Sequence, residues 1–522
     1  MRNTISLSFI LLWFCTYPSD AASTTAIQSQ TLTPVLIHKT INPILRLEID
    51  SEDSQTQFKQ IKVSFAGCDN LSDIQTAALY FTGNSDQFDN TKVMDQTNTI
   101  SHSITFSAKM PLHKGTNYFW VTVNLSPTAN LLHYIDASVA MIQTTTGDVN
   151  VTDITPQVRQ RIGIALRQHM DDDVHTYRIP ALTTTKKGTL LAVYDMRRRH
   201  GRDLQEDIDI GLSRSSDGGQ TWEPVKVIMD MGEYNGLPQE QNGVSDPGIV
   251  VDQKSGYIFC AAVWMWGKPG KHQWSEDGSE PGFEIGKSAQ FMMVESRNDG
   301  KNWSKPKNLT RKLKQEEWWL YAPSPQAGIT LQDGTVVLPS QGRDKNGKPF
   351  STIMYTRDRG RSWTVGNPAL VGTSECQGVQ LSDGSIMLNM RTERPTLFRS
   401  VVTSRDLGKT WTFHPTHQKT LIEPSCNGSL LRFDYRDGNN NKSVLVFANP
   451  HSQTSRSMHT LKISFDEGKT WPKENHYLMD AGRGFGYPSL TQIDGEHLGI
   501  LYEGSGSHLQ FQKFTIQELI DR

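Results

Sequence analysis

Ser404-Arg405-Asp406-Leu407-Gly408-Lys409-Thr410-Trp411 is one copy of an octapeptide that decides the fold, because the same spacing returns from Ser215, Ser296, Thr356 and Ser464. Each copy keeps a hydroxyl residue first, Asp or Asn third, Gly fifth and Trp eighth, and five copies make a repeat. The pattern has a structural logic. The third side chain can bond backbone amides in a turn, Gly takes a positive φ, and Trp packs between neighbouring units. Five such sites spread along the chain cannot converge on one substrate, so they read as scaffold. Asn298 and Asn302 make the second copy degenerate, which a structural turn tolerates.

A second pattern interleaves with the first: a turn, then an apolar strand. It starts at Gly188, Gly256, Gly334, Gly384, Ser443 and His497, and each of the first five strands precedes one octapeptide, while the sixth has none. The 360 residues from 163 to 522 divide into six units of about 60, which suits a four-stranded blade with long loops. The fold class predicted is therefore all-β, with a six-bladed β-propeller over 161–522. Continuously apolar strands are expected nearest the propeller axis, with their ends facing one shared pocket.

Before the propeller, 22–160 reads as short alternating strands, such as Ile44–Ile49, Ile61–Phe65 and Tyr118–Asn124, separated by polar turns. That is the pattern of a β-sandwich. The segment carries no acid, base or metal constellation, so an accessory module is expected there, either carbohydrate-binding or purely structural. At the start, Met1-Arg2 precedes an apolar stretch from Ile5 to Phe14, and small residues at Ser19 and Ala21 fit a signal-peptidase site. Residues 1–21 are thus predicted to be a signal peptide, and the protein to be exported to the periplasm, the cell surface or the medium.

Composition narrows the classes further. Lys+Arg number 53 against 55 Asp+Glu, a formal charge of −2 over 522 residues, which supplies no global field for nucleic acid or a membrane surface. No stretch beyond the leader is long and apolar enough for a membrane helix. Cys68, Cys260, Cys376 and Cys426 lack CxxC spacing, which argues against zinc and against a dense disulfide framework. Asp171-Asp172-Asp173 lacks the alternating spacing of a calcium loop and reads as a solvated turn. No metal or cofactor is called for.

Any anion recognition must then be local. Three arginines stand in strand-end contexts: Arg178 in Tyr-Arg-Ile-Pro, Arg391 in Leu-Asn-Met-Arg, and Arg456 after Phe-Ala-Asn-Pro. Guanidinium forks match a carboxylate and stay charged at any working pH, so a ring of them implies a bound anion.

Tyr177-Arg178-Ile179-Pro180 resembles the Phe-Arg-Ile-Pro box, and the octapeptides resemble the Asp boxes, of the bacterial exo-sialidases (neuraminidases, glycoside hydrolase family 33). The resemblance covers 170 to 505, and the N-terminal region resembles the additional domain of the Bacteroidetes-type members. It implies that Arg178, Arg391 and Arg456 grip the carboxylate of a terminal sialic acid on glycoproteins, glycolipids or oligosaccharides. It also implies an acid/base aspartate in the loop after the first arginine, where Asp203 lies 25 residues on, with Glu206, Asp207 and Asp209 as rivals. Glu375 in Thr-Ser-Glu-Cys-Gln matches the family glutamate, and Tyr487 in Gly-Tyr-Pro-Ser-Leu matches the tyrosine nucleophile. Arg483 competes with Arg456 for the third arginine. Arg197, Asp246 and Gln341 match positions that line the family's pocket. His175, His200, His451 and His508 lie near these motifs and read as structural or rim contacts. The activity implied is exo-α-sialidase hydrolysis with retention, through a glycosyl-tyrosine. The alternatives are transfer to an acceptor sugar, and a sialic-acid lectin that would have no need of Asp203, Glu375 and Tyr487 together.

Overall fold

The computed structural model describes residues 24–265, 278–393 and 396–521, so the leader expected at 1–21 lies outside the described residues. The N-terminal part packs a six-stranded sheet on a four-stranded one. Its strands alternate as half-buried strands should: in Ser103–Pro111 every second residue is buried, beginning with Ile104 and Phe106.

Six further sheets follow round a ring. In blade 1, Thr176–Thr184 pairs with Leu190–Arg197, which pairs with Ile208–Ser215, which pairs with Lys226–Met229, all antiparallel. Blades 2 to 5 repeat this order, beginning with Val244–Val251, Leu320–Pro323, Thr373–Gln380 and Ser429–Asp437. Blade 6 takes its first three strands, Pro488–Gln492, His497–Tyr502 and Leu509–Thr515, from the end of the chain, and its fourth, Gln160–Arg167, from before blade 1. This closure explains why six blades carry only five octapeptides: no turn joins the third and fourth strands of blade 6. Val35–Ile37, from the N-terminal region, extends that sheet by pairing in parallel with Gln160–Arg167. The Tyr134 and Tyr477 hydroxyls, 2.9 Å apart, further join sandwich to propeller.

One expectation needs correction. The six apolar strands are the second of each blade, not the innermost. All eight residues of Leu190–Arg197 are buried because both faces of that strand meet neighbouring blades. The first strands line the axis instead, where converging backbones leave little room and need polar partners. There Ser324 Oγ donates to the Cys376 carbonyl at 2.8 Å, Gln377 to Ala327 at 2.6 Å and Gln326 to Pro488 at 2.6 Å.

The octapeptides act as scaffold. Ser215 Oγ bonds Asp217 at 2.8 Å and accepts the Gly219 amide at 2.9 Å, Asp217 accepts the Thr221 amide at 3.0 Å, and Gly219 has φ +93°. The tryptophans reach across blades: Trp222 meets Phe511 at 5.3 Å and Trp363 meets Phe259 at 5.4 Å between ring centres. The four described cysteines are unbridged, and no helix among the described residues is long and apolar enough to cross a membrane.

Candidate active site

Antiparallel order puts the start of each first strand, the end of each second and the start of each third at one face of the ring. The octapeptides end the third strands, at the opposite face. On the first face the innermost strands bulge. Pairing slips between Arg178 and Ala181, between Ser245 and Gly248, and between Thr373 and Cys376, so that Arg178 is the last paired residue before its bulge while Asp246 and Glu375 fall within theirs. In two of these bulges a positive-φ residue, Ile179 at +56° or Asp246 at +61°, precedes a proline that has no ladder donor to lose. Second-strand ends supply Arg197 and Arg391. Arg456 precedes the third strand of blade 5, Ser457–Ser464. Tyr487 stands between Gly486 and the first strand of blade 6. Gly486 has φ +96°, and a Cβ there would sit 3.0 Å from Cys426 Sγ and 3.1 Å from Arg456 Cβ.

These segments bring four blades together on one phenol. The Tyr487 hydroxyl donates to Glu375 Oε1 and accepts from Arg391 Nη1 at 2.9 Å, while the same Nη1 lies 2.8 Å from Glu375 Oε2. The Arg178 and Arg456 guanidiniums lie 5.4 and 5.6 Å from the centre of the Tyr487 ring. Burial, then the Glu375 carboxylate, push the Tyr487 phenol well above its ordinary range, against the pull of Arg391 and Arg456. The phenol therefore keeps its proton, and the base that can take it is already bonded.

The three arginines differ in how their charge is answered. Arg178 is held by Glu503, and Arg391 by Glu375 with Glu393 at 3.4 Å. Arg456 bonds only the Phe485 and Ser425 carbonyls, at 3.0 and 3.4 Å, and has no carboxylate partner among the described residues. A ligand carboxylate would supply that missing partner.

Asp203 lies on the adjoining loop, its Oδ1 2.6 Å from Arg197 Nη1. Arg197 is itself buried on Asp195, whose carboxylate also takes the Ser245 hydroxyl at 2.6 Å and the Asp246 amide at 3.1 Å. Burial, then Asp195, Glu375 and Asp203, raise the Asp246 carboxyl well above the usual carboxylate range. Of the rivals to Asp203, Asp209 is buried against Arg198 at 2.6 Å, and Glu206 lies 3.9 Å from Arg202. The main chain of Asp207 accepts the Arg198 amide at 3.0 Å. Arg483 ends the outer strand His476–Arg483, away from the phenol's hydrogen bonds. Gln341 is buried with its amide on the Pro323 carbonyl at 3.3 Å, and no hydrogen bond joins it to the Tyr487 group among the described residues. Two partners escaped the sequence reading: Glu503 and Asp195. Each is a carboxylate at the site-facing end of an apolar second strand, and that position was the available signal.

Comparison with known proteins places the chain in a family. Residues 22–147 match the N-terminal domain of BNR-repeat neuraminidase, and 179–502 match the BNR repeat-like domain. The chain is 36% identical to a sialidase of Bacteroides fragilis over the whole length of both. A Hadza microbial sialidase superposes with a TM-score of 0.89 at 34% identity, covering 95% of this chain and all of that one. A Trypanosoma rangeli sialidase solved in complex with sialic acid shares the fold, with a TM-score of 0.55 at 21% identity over 68% of this chain and 59% of its own. This chain belongs to the bacterial sialidases with BNR-repeat neuraminidase domains, and is a glycoside hydrolase.

Proposed function

We propose that the enzyme is an exo-α-sialidase that removes terminal α-linked sialic acid with net retention, through a covalent intermediate on Tyr487. The observation that carries this reading is the Tyr487 hydroxyl bonded to Glu375 and Arg391 with two further arginines beside the ring.

The residue types suit the substrate. The anomeric carbon of a sialoside bears a carboxylate, so an anionic Asp or Glu nucleophile would approach against like charge, whereas a neutral phenol avoids that repulsion. Sialidases with a tyrosine nucleophile are a known exception to the two-carboxylate rule for glycosidases. Arg178, Arg391 and Arg456 take the substrate carboxylate. As the Tyr487 oxygen bonds to the anomeric carbon, its proton passes to Glu375. The bond to the leaving sugar breaks, and its oxygen takes a proton from Asp203. In the second half, Asp203 accepts a proton from the attacking water, the new C–O bond forms, and Tyr487 leaves, recovering its proton from Glu375. Two displacements restore the starting configuration. The arginines also favour the flattened, oxocarbenium-like ring of the transition state over the ground-state sugar.

The test is release of 4-methylumbelliferone from its α-sialoside by wild type and Asp203→Ala, with the first-formed sialic acid anomer read by proton NMR. An α-anomer as first product, with turnover depressed in Asp203→Ala, supports the reading. A β-anomer as first product, or saturable sialic acid binding with no turnover, overturns it. Product formed on an added acceptor sugar in preference to water would make the enzyme a trans-sialidase.

A further inference from the structure

The reaction above leaves a cavity of about 860 Å³ beside the site without a role. Blade 5 contributes Arg456, Arg483 and Phe485 to it, blade 6 contributes His508, and the segment entering blade 1 contributes His169. It adjoins the carboxylate grip directly. Arg456 belongs to both, and the Phe485 ring that walls the cavity lies 4.5 Å from the Arg178 guanidinium. From its wall a line of ring contacts leads to the acid loop: His169 packs on His175 at 4.8 Å and His175 on His200 at 6.5 Å, three residues before Asp203. The anomeric carbon of a sialoside carries the carboxylate and the glycosidic oxygen together, so the sugar next in line begins two bonds from the carboxylate. A cavity that shares an arginine with the carboxylate grip is within its reach.

The charges on this wall do not balance. Glu503 answers Arg178 and Glu375 answers Arg391, so one substrate carboxylate against Arg456 completes the grip. Arg483 then remains. It is exposed, and its guanidinium makes no hydrogen bond or ion pair among the described residues. Asp480, on the same strand, is engaged by Ser505 at 2.7 Å, by the Gly482 amide at 2.9 Å and by Gln510 at 3.0 Å. Burial and the neighbouring His169 push the His508 imidazole down, so Arg483 and Arg456 are the fixed positive charges here. Phe485 is 43% exposed, so one face of its ring is open to a ligand in the cavity.

We infer that this cavity is an aglycone subsite selecting substrates whose penultimate sugar is itself anionic, with the sugar ring over Phe485 and its anion on Arg483. The inference rests on the carboxylate grip proposed above. The anion can be the carboxylate of a second sialic acid or the sulfate of a sulfated hexose.

The experiment compares wild type, Arg483→Gln and Arg483→Lys on four substrates: an α2,8-disialyl oligosaccharide, a sulfated 3′-sialyllactose, neutral 3′-sialyllactose and the 4-methylumbelliferyl sialoside. Arg483→Gln is expected to lower kcat/KM about tenfold on an anionic-aglycone substrate, mostly through KM, as loss of one charge-assisted contact would. The two neutral-aglycone substrates should be unaffected, and Arg483→Lys should recover part of the loss. A response confined to the disialyl substrate identifies the carboxylate as the anion, and one confined to the sulfated substrate identifies the sulfate. Equal loss on all four substrates, or no loss on any, overturns the inference. Failure of wild type on the 4-methylumbelliferyl sialoside would instead remove the carboxylate-grip reading beneath it.

Discussion

Glu503 and Arg178 form a buried two-pronged pair, Oε1 to Nε at 2.7 Å and Oε2 to Nη2 at 3.2 Å, and the same two oxygens accept the amides of Ile179 at 2.8 Å and Tyr487 at 3.1 Å. One carboxylate thus sets the blade 1 arginine and the blade 6 tyrosine against each other. Glu503→Gln keeps the shape but leaves Arg178 buried without its counter-charge. Breaking a buried pair from one side typically costs about 3 kcal/mol or more, so the variant should melt earlier. Its kcat/KM on the 4-methylumbelliferyl sialoside should fall at least about tenfold as the grip loses its geometry. A variant matching wild type in both would show that Glu503 does not position the site.

Tyr487→Phe separates chemistry from packing. The ring is 5% exposed and keeps its contacts with Ile179 and Cys426, while Glu375 stays paired to Arg391. Stability should change by no more than about 1.5 kcal/mol, the net worth of a hydrogen bond. Turnover should fall about a thousandfold or more, since a ring without oxygen cannot form the intermediate. Melting curves and single-turnover rates measured together check both halves, and a variant that folds normally and retains more than about a tenth of its turnover would exclude Tyr487 as nucleophile.

Much of this was legible because the octapeptide repeats. A turn in which Ser215, Asp217, Gly219 and Trp222 each have one task leaves the same trace wherever it recurs, so the propeller could be read from spacing alone. The arginines were legible for a related reason, since a charged residue at the end of a buried strand stands out. Placing the apolar strands at the axis misread burial as centrality: Leu190–Arg197 is apolar because two blades flank it, while the true inner strands use Ser324, Gln326 and Gln377 to satisfy each other's backbones. Asp195 was missed because, beyond its neighbour Arg197, the groups it holds, Ser245 and Asp246, come from the next blade, and Glu503 because its partner lies in another blade. Glu503 meets Arg178 at a separation of 325 residues, which no local pattern reports.

Asp466→Ala tests whether the octapeptides are scaffold. Asp466 accepts from Ser464 Oγ at 2.8 Å, the Thr470 amide at 2.9 Å and Thr470 Oγ1 at 2.7 Å, on the face opposite the site. These bonds to the charged form hold its carboxyl below the usual carboxylate range, outweighing the opposing effect of partial burial. Its contribution is therefore present above about pH 4 and fades as pH falls through the lowered folded value. At pH 7 the variant should lose about 1 kcal/mol of stability with kcat and KM unchanged, and the difference from wild type should shrink toward pH 3. Melting temperatures at both pH values and kinetics at pH 7 decide it, and a fall in kcat without a fall in melting temperature would contradict a scaffold role.

The carboxylates around Arg197 give the opposite pH dependence. Asp246 is raised by burial and by Asp195, Glu375 and Asp203, and Asp195 is raised by burial to about 6 despite its pair with Arg197. In the unfolded chain both lose their protons near pH 4, whereas the folded chain retains them longer. The folded state therefore binds more protons above that pH, and these groups erode stability as pH rises. Asp246→Asn keeps the shape of the protonated acid and has no proton to lose. Its melting temperature relative to wild type should climb steadily between pH 4 and pH 8, whatever the effect on turnover. A difference that stays flat across that range, or moves toward wild type, would mean that Asp246 is ionised in the folded enzyme and that the charge around Arg197 is shared differently.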